Sequence, residues 1–358
     1  MLISSTEELR LYSPANAIDH IETLMGFLDS SEQDFLLEKL GQPLYDALSE
    51  YYRGLRDSND GISTFIQKIT DGEPLPPYAR LLSLAQRIIT FDALGRAVDM
   101  QAISVNGSGI NISTADDYQK ADDKAVQNYK ATCVKEAHAA VNRLLVALEE
   151  WTKEVPNIDA TAFDADSDEA TNAEEKKEIV EKWRTSRFFY LAAGLVIPSA
   201  TVLQEYLNIY DSREKFIQLL PDLRYIQEDI IAPIIGEDFM DFLIEQSQTV
   251  KEDDKKMLRI LHKLRKAVAR HLEARVMQKK STDDRHVLAH DEAVRLTTDL
   301  TEYLQQHQPD FADALAEAFQ KSPLYVAPET TEETTSDYVP QFENNAEGSV
   351  MFVTPAIP

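Results

Sequence analysis

Four carboxylates, Asp164, Asp166, Asp168 and Glu175, fall at positions 1, 3, 5 and 12 of a calcium-loop spacing. In such a loop, alternate residues turn oxygen ligands onto one ion. The template is incomplete here. Its sixth position, which needs glycine for a sharp turn, is Glu169, and its eighth is Thr171 rather than an apolar residue. His286 and His290 stand one helical turn apart, the spacing of a zinc pair, but no HExxH glutamate and no third ligand accompany them. A solvated helix face is the expectation. Gly107-Ser108-Gly109 lacks the GxxxxGK[ST] or GxGxxG context that cradles phosphate. Cys133, the single cysteine, lies among the apolar positions of a helical pattern and reads as a buried, inert thiol. No GxSxG, CxxC or Walker signature occurs, and no carboxylate pair stands out from ordinary helix-surface charge. The expectation is a protein that is not an enzyme and needs no cofactor or metal.

Charge offers more. The chain has 62 acidic and 36 basic residues, a formal net charge of −26. Against that background KKMLRILHKLRKAVARHLEARVMQKK (255–280) holds ten Lys/Arg and one acid, Glu273. Met257, Ile260, Leu261, Leu264, Val268, Leu272 and Val276 give this stretch one apolar stripe at helical spacing. Lys255, Lys256, Arg259, Lys263, Arg265, Lys266, Arg270 and Arg275 are its candidate interface residues. Three readings stand: a solvated face offsetting acid within the fold, contact with the acidic face of a neighbouring subunit, or proximity to DNA phosphates without sequence recognition. The net charge opposes the third over most of the surface.

The elements that must carry these residues are mainly α-helical. The 358 residues include only 11 glycines, and 43% are hydrophobic and 27% charged. No apolar run approaches the roughly 20 residues of a membrane span, and MLISSTEELRLYS lacks the basic and apolar regions of a signal peptide. One cysteine suits a reducing cytoplasm. Ser5-Thr6-Glu7-Glu8 has the form of a capping box. Apolar spacing then runs through Ile18, Ile21, Leu24, Met25 and Leu28, and a second helix is expected over about 31–52, broken at Gly41-Gln42-Pro43. A helix over 77–101, a small β-hairpin near 102–113 around Asn106–Gly109, and a long helix over 114–153 complete a first module, 1–155. The acidic stretch 156–178 reads as a linker. A second module, 179–324, has helices near 251–279 and 287–319. An extended C-terminal arm, 325–358, has Tyr338, Phe342 and Phe352 as candidate contacts for a neighbour.

The two modules are linked by a faint repetition. At a constant offset of 195, residues 6–50 match residues 201–245, with Thr6/Thr201, Leu24/Leu219, Leu28/Leu223, Asp34/Asp229, Gly41/Gly236, Asp46/Asp241, Leu48/Leu243 and Glu50/Glu245 identical. Apolar positions keep the same register: Phe35/Ile230, Leu36/Ile231, Leu40/Ile235 and Leu44/Phe239. Two duplicated helical-bundle modules are therefore expected, an arrangement more suited to assembly than to catalysis.

The segment 199–243, SATVLQEYLNIYDSREKFIQLLPDLRYIQEDIIAPIIGEDFMDFL, resembles an uncharacterised family encoded in Bacteroides-type phages and prophages. FLLEKLGQPLYDALSEYY and the VNGSGI turn before a long helix are similar to the same pattern. By analogy, such modules resemble head–tail connector (adaptor) proteins, which form rings beneath the portal and have no catalytic residues to carry over. The resemblance implies a virion structural protein, a homo-oligomer meeting portal, tail or other neck proteins, assembled in the bacterial cytoplasm and not at a membrane. Doubling of the module departs from the single-module adaptor. The alternative is a non-enzymatic cytoplasmic binding or regulatory protein that recognises a phage or host partner.

Overall fold

In a computed structural model the described residues are 1–13, 21–101, 103–106, 109–112, 123–157, 167–186, 188–191, 194–249, 254–280 and 285–327. The protein is mainly α-helical. No helix of the described residues is long and apolar enough to cross a membrane.

The chain enters through buried Leu2 and Ile3. Helix α1 (Thr6–Arg10) follows on the expected capping box: the Glu8 N–H donates to Ser5 Oγ at 3.2 Å, and the Ser5 N–H donates to the Glu8 carboxylate at 3.0 Å. Helical spacing beyond it predicts a continuing helix, but α1 stops at Arg10 and a separate α2 (Met25–Ser30) follows. A π-helical segment (Ser31–Leu36) leads from α2 into α3 (Leu37–Leu40). Gly41 then turns the chain into α4 (Gln42–Asp57), with Pro43 in the first turn, where its missing N–H costs nothing. After α5 (Gly61–Asp71), α6 (Pro77–Gln101) and α7 (Asp123–Glu154) form a long antiparallel pair, tied by Arg87–Glu136 at 3.3 Å. Between them Ile103–Asn106 and Gly109–Ile112 pair antiparallel, Ile103 opposite Ile112; the turn expected there falls on residues 107 and 108, outside the described set.

The linker expected over 156–178 requires correction. From Asp168 onward it is helix α8 (Asp168–Arg184), capped by Ser167 Oγ and packed on α4, α6 and α7 through Ala173, Ile179, Val180 and Trp183. Its dense charge lies on the solvent face, while the apolar residues close the first module. Residues 179–184 are therefore the end of α8.

The second module runs through α9 (Ala200–Gln204), α10 (Arg213–Tyr225), a π-helical segment (Ile226–Ile231), α11 (Ala232–Ile235), α12 (Glu237–Thr249), the pair α13 (Lys255–Lys280) and α14 (Arg285–His307), and α15 (Asp313–Phe319). The helix expected to run to residue 319 ends at His307, where Pro309 cannot continue it, and resumes as α15.

Both segments of the offset pass through the same backbone states. Six π-helical residues, four α-helical residues and a positive-φ glycine follow one another from Ser31 and from Ile226, with Gly41 at φ 76° and Gly236 at φ 96°. Ser5 caps α1 as Ser199 caps α9. The Leu2 N–H donates to Glu32 Oε2 at 2.9 Å, and the Leu2 carbonyl accepts from Gln86 Nε2 at 2.7 Å. Val196 is held likewise: its N–H donates to Gln227 Oε1 at 3.0 Å, and its carbonyl accepts from Arg265 Nε at 2.8 Å. A buried strand-like entry has no ladder to satisfy its peptide groups, so each module supplies one side chain from its π segment and one from its long helix. Ser186, after α8, sits against Gly41; Ser322, after α15, sits against Gly236.

Burial raises the pKa of several phenols of this fold. Burial pushes the Tyr51 hydroxyl up to about 12, and burial together with the Glu32 carboxylate does the same for Tyr45. Tyr12, Tyr52, Tyr78 and Tyr190 are also raised, burial being the largest cause. The folded chain holds these protons more tightly than the unfolded one, so their contribution is complete below the ordinary value of 10.0 and lost as pH rises above it. Chemical-denaturation midpoints measured against pH should fall steadily above that value.

Candidate interaction surfaces

Three surfaces are candidates: the contact between α10 and α7, the basic helix α13, and a groove beside α13 and α14.

At the junction the N-terminus of α10 sits on α7 and meets Lys39 of α3. The Arg213 N–H donates to Asn142 Oδ1 at 2.9 Å. Its guanidinium donates to Glu149 Oε2 at 3.2 and 3.3 Å, with Arg213 4% and Glu149 2% exposed. Tyr190 donates its hydroxyl to the other oxygen of Glu149 at 2.6 Å. Nη2 also donates to Thr201 Oγ1, and Nη1 donates to the Asp211 carbonyl and pairs with the Asp211 carboxylate at 2.7 Å, so the buried cation is well satisfied. At the rim Glu214 meets His138 at 2.6 Å and Lys39 at 3.4 Å, while Phe35 places its ring against His138 at 5.6 Å.

Helix α13 buries Met257, Ile260, Leu261, Leu264, Val268 and Leu272 of its expected stripe and leaves Val276 partly buried, but its cations are divided. Arg265 turns inward to the Val196 and Ser247 carbonyls. Arg275 donates Nε to Asp222 at 2.6 Å and lies over Tyr225, and Lys279 meets the same carboxylate at 2.7 Å. The usual penalty of burial on Asp222 is outweighed by these two cations, and its carboxyl is held below the ordinary range. Arg270 pairs with Glu273 and faces Glu292, Lys256 caps the Asp310 carbonyl, and Lys263 lies over Tyr303. Lys255, Arg259 and Lys266 remain exposed. Arg265 and Arg275, named as interface candidates, therefore act within the fold. Tyr338, Phe342 and Phe352 lie outside the described residues.

The groove, about 690 Å³, runs between the second π segment, α13 and α14. Tyr225, Ile234, Val287 and Val294 line it, four of the eleven large apolar side chains left exposed among the described residues. Its basic lining is His271, Arg275, His286 and His290, with no carboxylate. The histidine pair of the sequence thus comes beside a third, unforeseen histidine: the His271 and His290 rings stand 6.3 Å apart, edge to face. No group of three metal-holding side chains occurs among the described residues. His271 Nε2 lies 3.0 Å from Thr297 Oγ1. Burial, then the neighbouring His290, lowers the His271 pKa below 6.5. Its neutral form is favoured by folding, so that contribution is present above 6.5 and lost as pH falls below it. In His271→Gln, chemical-denaturation midpoints should lose part of their acid-side decline.

Two other sequence candidates acquire structural roles. Glu175 accepts the Tyr78 N–H at 3.0 Å and so caps the start of α6; burial raises its pKa. Asp164 and Asp166 lie outside the described residues. Cys133 is free and buried, and burial pushes its thiol pKa up.

No curated protein and no solved structure matches the chain. Residues 36–157, from the end of the first π segment through α7, are similar to a family of unknown function, DUF6712.

Proposed function

We propose that the chain is a phage virion structural protein of the head–tail neck, built from a duplicated helical module and acting through subunit assembly. The observation that carries this reading is the recurrence of one framework in two unequal copies. Ser-capped short helix, π segment, positive-φ glycine, long helix pair and glycine-facing serine appear in the same order in each. The first copy has its outer cleft filled by the second, and the second presents an open groove and the exposed cations Lys255, Arg259 and Lys266. Unequal faces on repeated modules are what a head-to-tail assembly uses. The resemblance of both halves to phage-encoded modules supplies the setting: homo-oligomeric contact, with portal, tail or other neck proteins as neighbours and DNA near but not read.

Mass spectrometry of purified phage particles tests this reading. The expected result is the chain present at a fixed, low copy number relative to the portal protein. Its absence from particles, with recovery from lysate in a discrete 1:1 complex, would instead establish the regulatory alternative.

A further inference from the structure

The groove continues along α14 beyond its own residues. Val287, Val294, Thr298 and Thr301 of that helix line it. Gln305 and Gln308 line a second depression, of about 480 Å³, together with Val326 and Ala327. Steps of three, four and seven residues keep Val287, Val294, Thr298, Thr301, Gln305 and Gln308 on one helix face. The two depressions thus lie along one stripe, and the helical rise places Val287 about 32 Å from Gln308.

The C-terminal segment leaves the fold on this stripe. The Val326 N–H donates to Gln308 Oε1 at 3.0 Å, and Gln308 Nε2 donates back to the Val326 carbonyl. Ala327 is the last described residue, and residues 328–358 follow it. Residues 328–337, PETTEETTSD, have no large apolar side chain; Tyr338, Val339 and Phe342 come next. An extended chain covers roughly 3.3 Å per residue, so Val339, twelve residues after Ala327, has a reach of about 40 Å. That spans the whole stripe, and Val294 lies nearer, about 21 Å from Gln308. At the far end Tyr225, Ile234, Val287 and Val294 stand together in the groove, each between 37% and 46% exposed.

We propose that the Tyr338–Phe342 segment of the same chain lies in the groove, with Tyr338, Val339 and Phe342 covering Ile234, Val287 and Val294. Tethering selects this chain over a neighbour. A flexible linker of about ten residues presents its end at an effective concentration on the order of millimolar, above that of a second copy in dilute solution. The groove is then occupied by a strap, which any partner using that surface has to displace. The inference holds whether or not the chain assembles.

The test uses the full chain with one cysteine in the groove and one in the segment, Val294→Cys with Val339→Cys; the native Cys133 is buried. A control pair combines Val339→Cys with Leu288→Cys, a position of α14 that is 71% exposed and does not line the groove. A short bismaleimide is added at low protein concentration. Denaturing gels separate linked monomer from linked dimer, mass spectrometry of the digest identifies the joined peptides, and circular dichroism confirms an unchanged fold. Linkage within the monomer should be roughly tenfold faster for the groove pair than for the control pair. Adding Ile234→Asp to the groove pair should slow it about tenfold, the scale of losing a central apolar contact. Equal rates for the two pairs, or a rate indifferent to Ile234→Asp, would mean that the segment merely samples the surface. Linked dimers as the main product would place a second copy's segment in the groove. Each of these results overturns the proposal.

Discussion

Arg213→Ala will destabilise the protein by about 3–5 kcal/mol, because it strands a charge rather than merely deleting a contact. Glu149 lies on α7 of the first module and is 2% exposed; two guanidinium nitrogens and the Tyr190 hydroxyl are its partners. Without the arginine, a carboxylate sits in a low-dielectric junction with only a phenol for company. Desolvation dominates over the lost Coulomb attraction in such a case, so removing both charges should do less harm than removing one. Glu149→Leu combined with Arg213→Met is therefore expected to be more stable than Arg213→Ala alone, although Tyr190 then loses its acceptor. Denaturant unfolding followed by fluorescence of buried Trp151 and Trp183 reads this ranking. A single arginine deletion that costs under about 1 kcal/mol would mean that the junction is wet and the modules are only loosely docked.

Gly41→Ala and Gly236→Ala should each cost about 3 kcal/mol or more, from backbone strain and collision together. Gly41 has φ 76° and ψ 158°, a region that residues with a Cβ avoid. A Cβ there would lie 2.6 Å from Ser186 Cβ and collide with its Oγ. At Gly236 the added carbon would meet Pro323 Cδ at 2.9 Å and Ser322 Cα at 3.2 Å. The two sites differ in whether the collision can be relieved. Ser186→Gly removes the colliding atoms and should recover part of the Gly41→Ala loss, leaving the backbone strain. At Gly236 one opponent is backbone and the other a proline ring, so no comparable rescue exists. Equal losses with and without Ser186→Gly would show that the serine does not close the first module on Gly41.

Much of the helical framework was legible because local chemistry dictates it. The Ser5–Glu8 box, the α13 stripe and the turn at both glycines follow from capping, periodicity and the avoidance of positive φ by residues with a Cβ. Helix α8 was not legible, because its start is dense in carboxylates and composition outweighed the sparse apolar spacing of Ala173, Ile179, Val180 and Trp183. Eleven consecutive polar or small residues say little about a helix whose buried face is narrow. The junction was invisible for a different reason: Glu149 and Arg213 are separated by 64 residues, and nothing local marks either as buried. The basic helix was read correctly as amphipathic, yet which cations turn inward depends on where Val196 and Asp222 come to lie. The groove could have been suspected from His286, His290 and the apolar Val287 and Val294 of one helix, but only the fold adds Ile234 and His271 to them.

Light scattering on the purified full chain, coupled to size separation, bears most directly on the central claim that this is an assembly part. The account predicts a discrete oligomer whose mass is a multiple of 40.5 kDa, growing in population with concentration. A mass of 40.5 kDa at every concentration, both alone and mixed with portal and tail proteins, would contradict it.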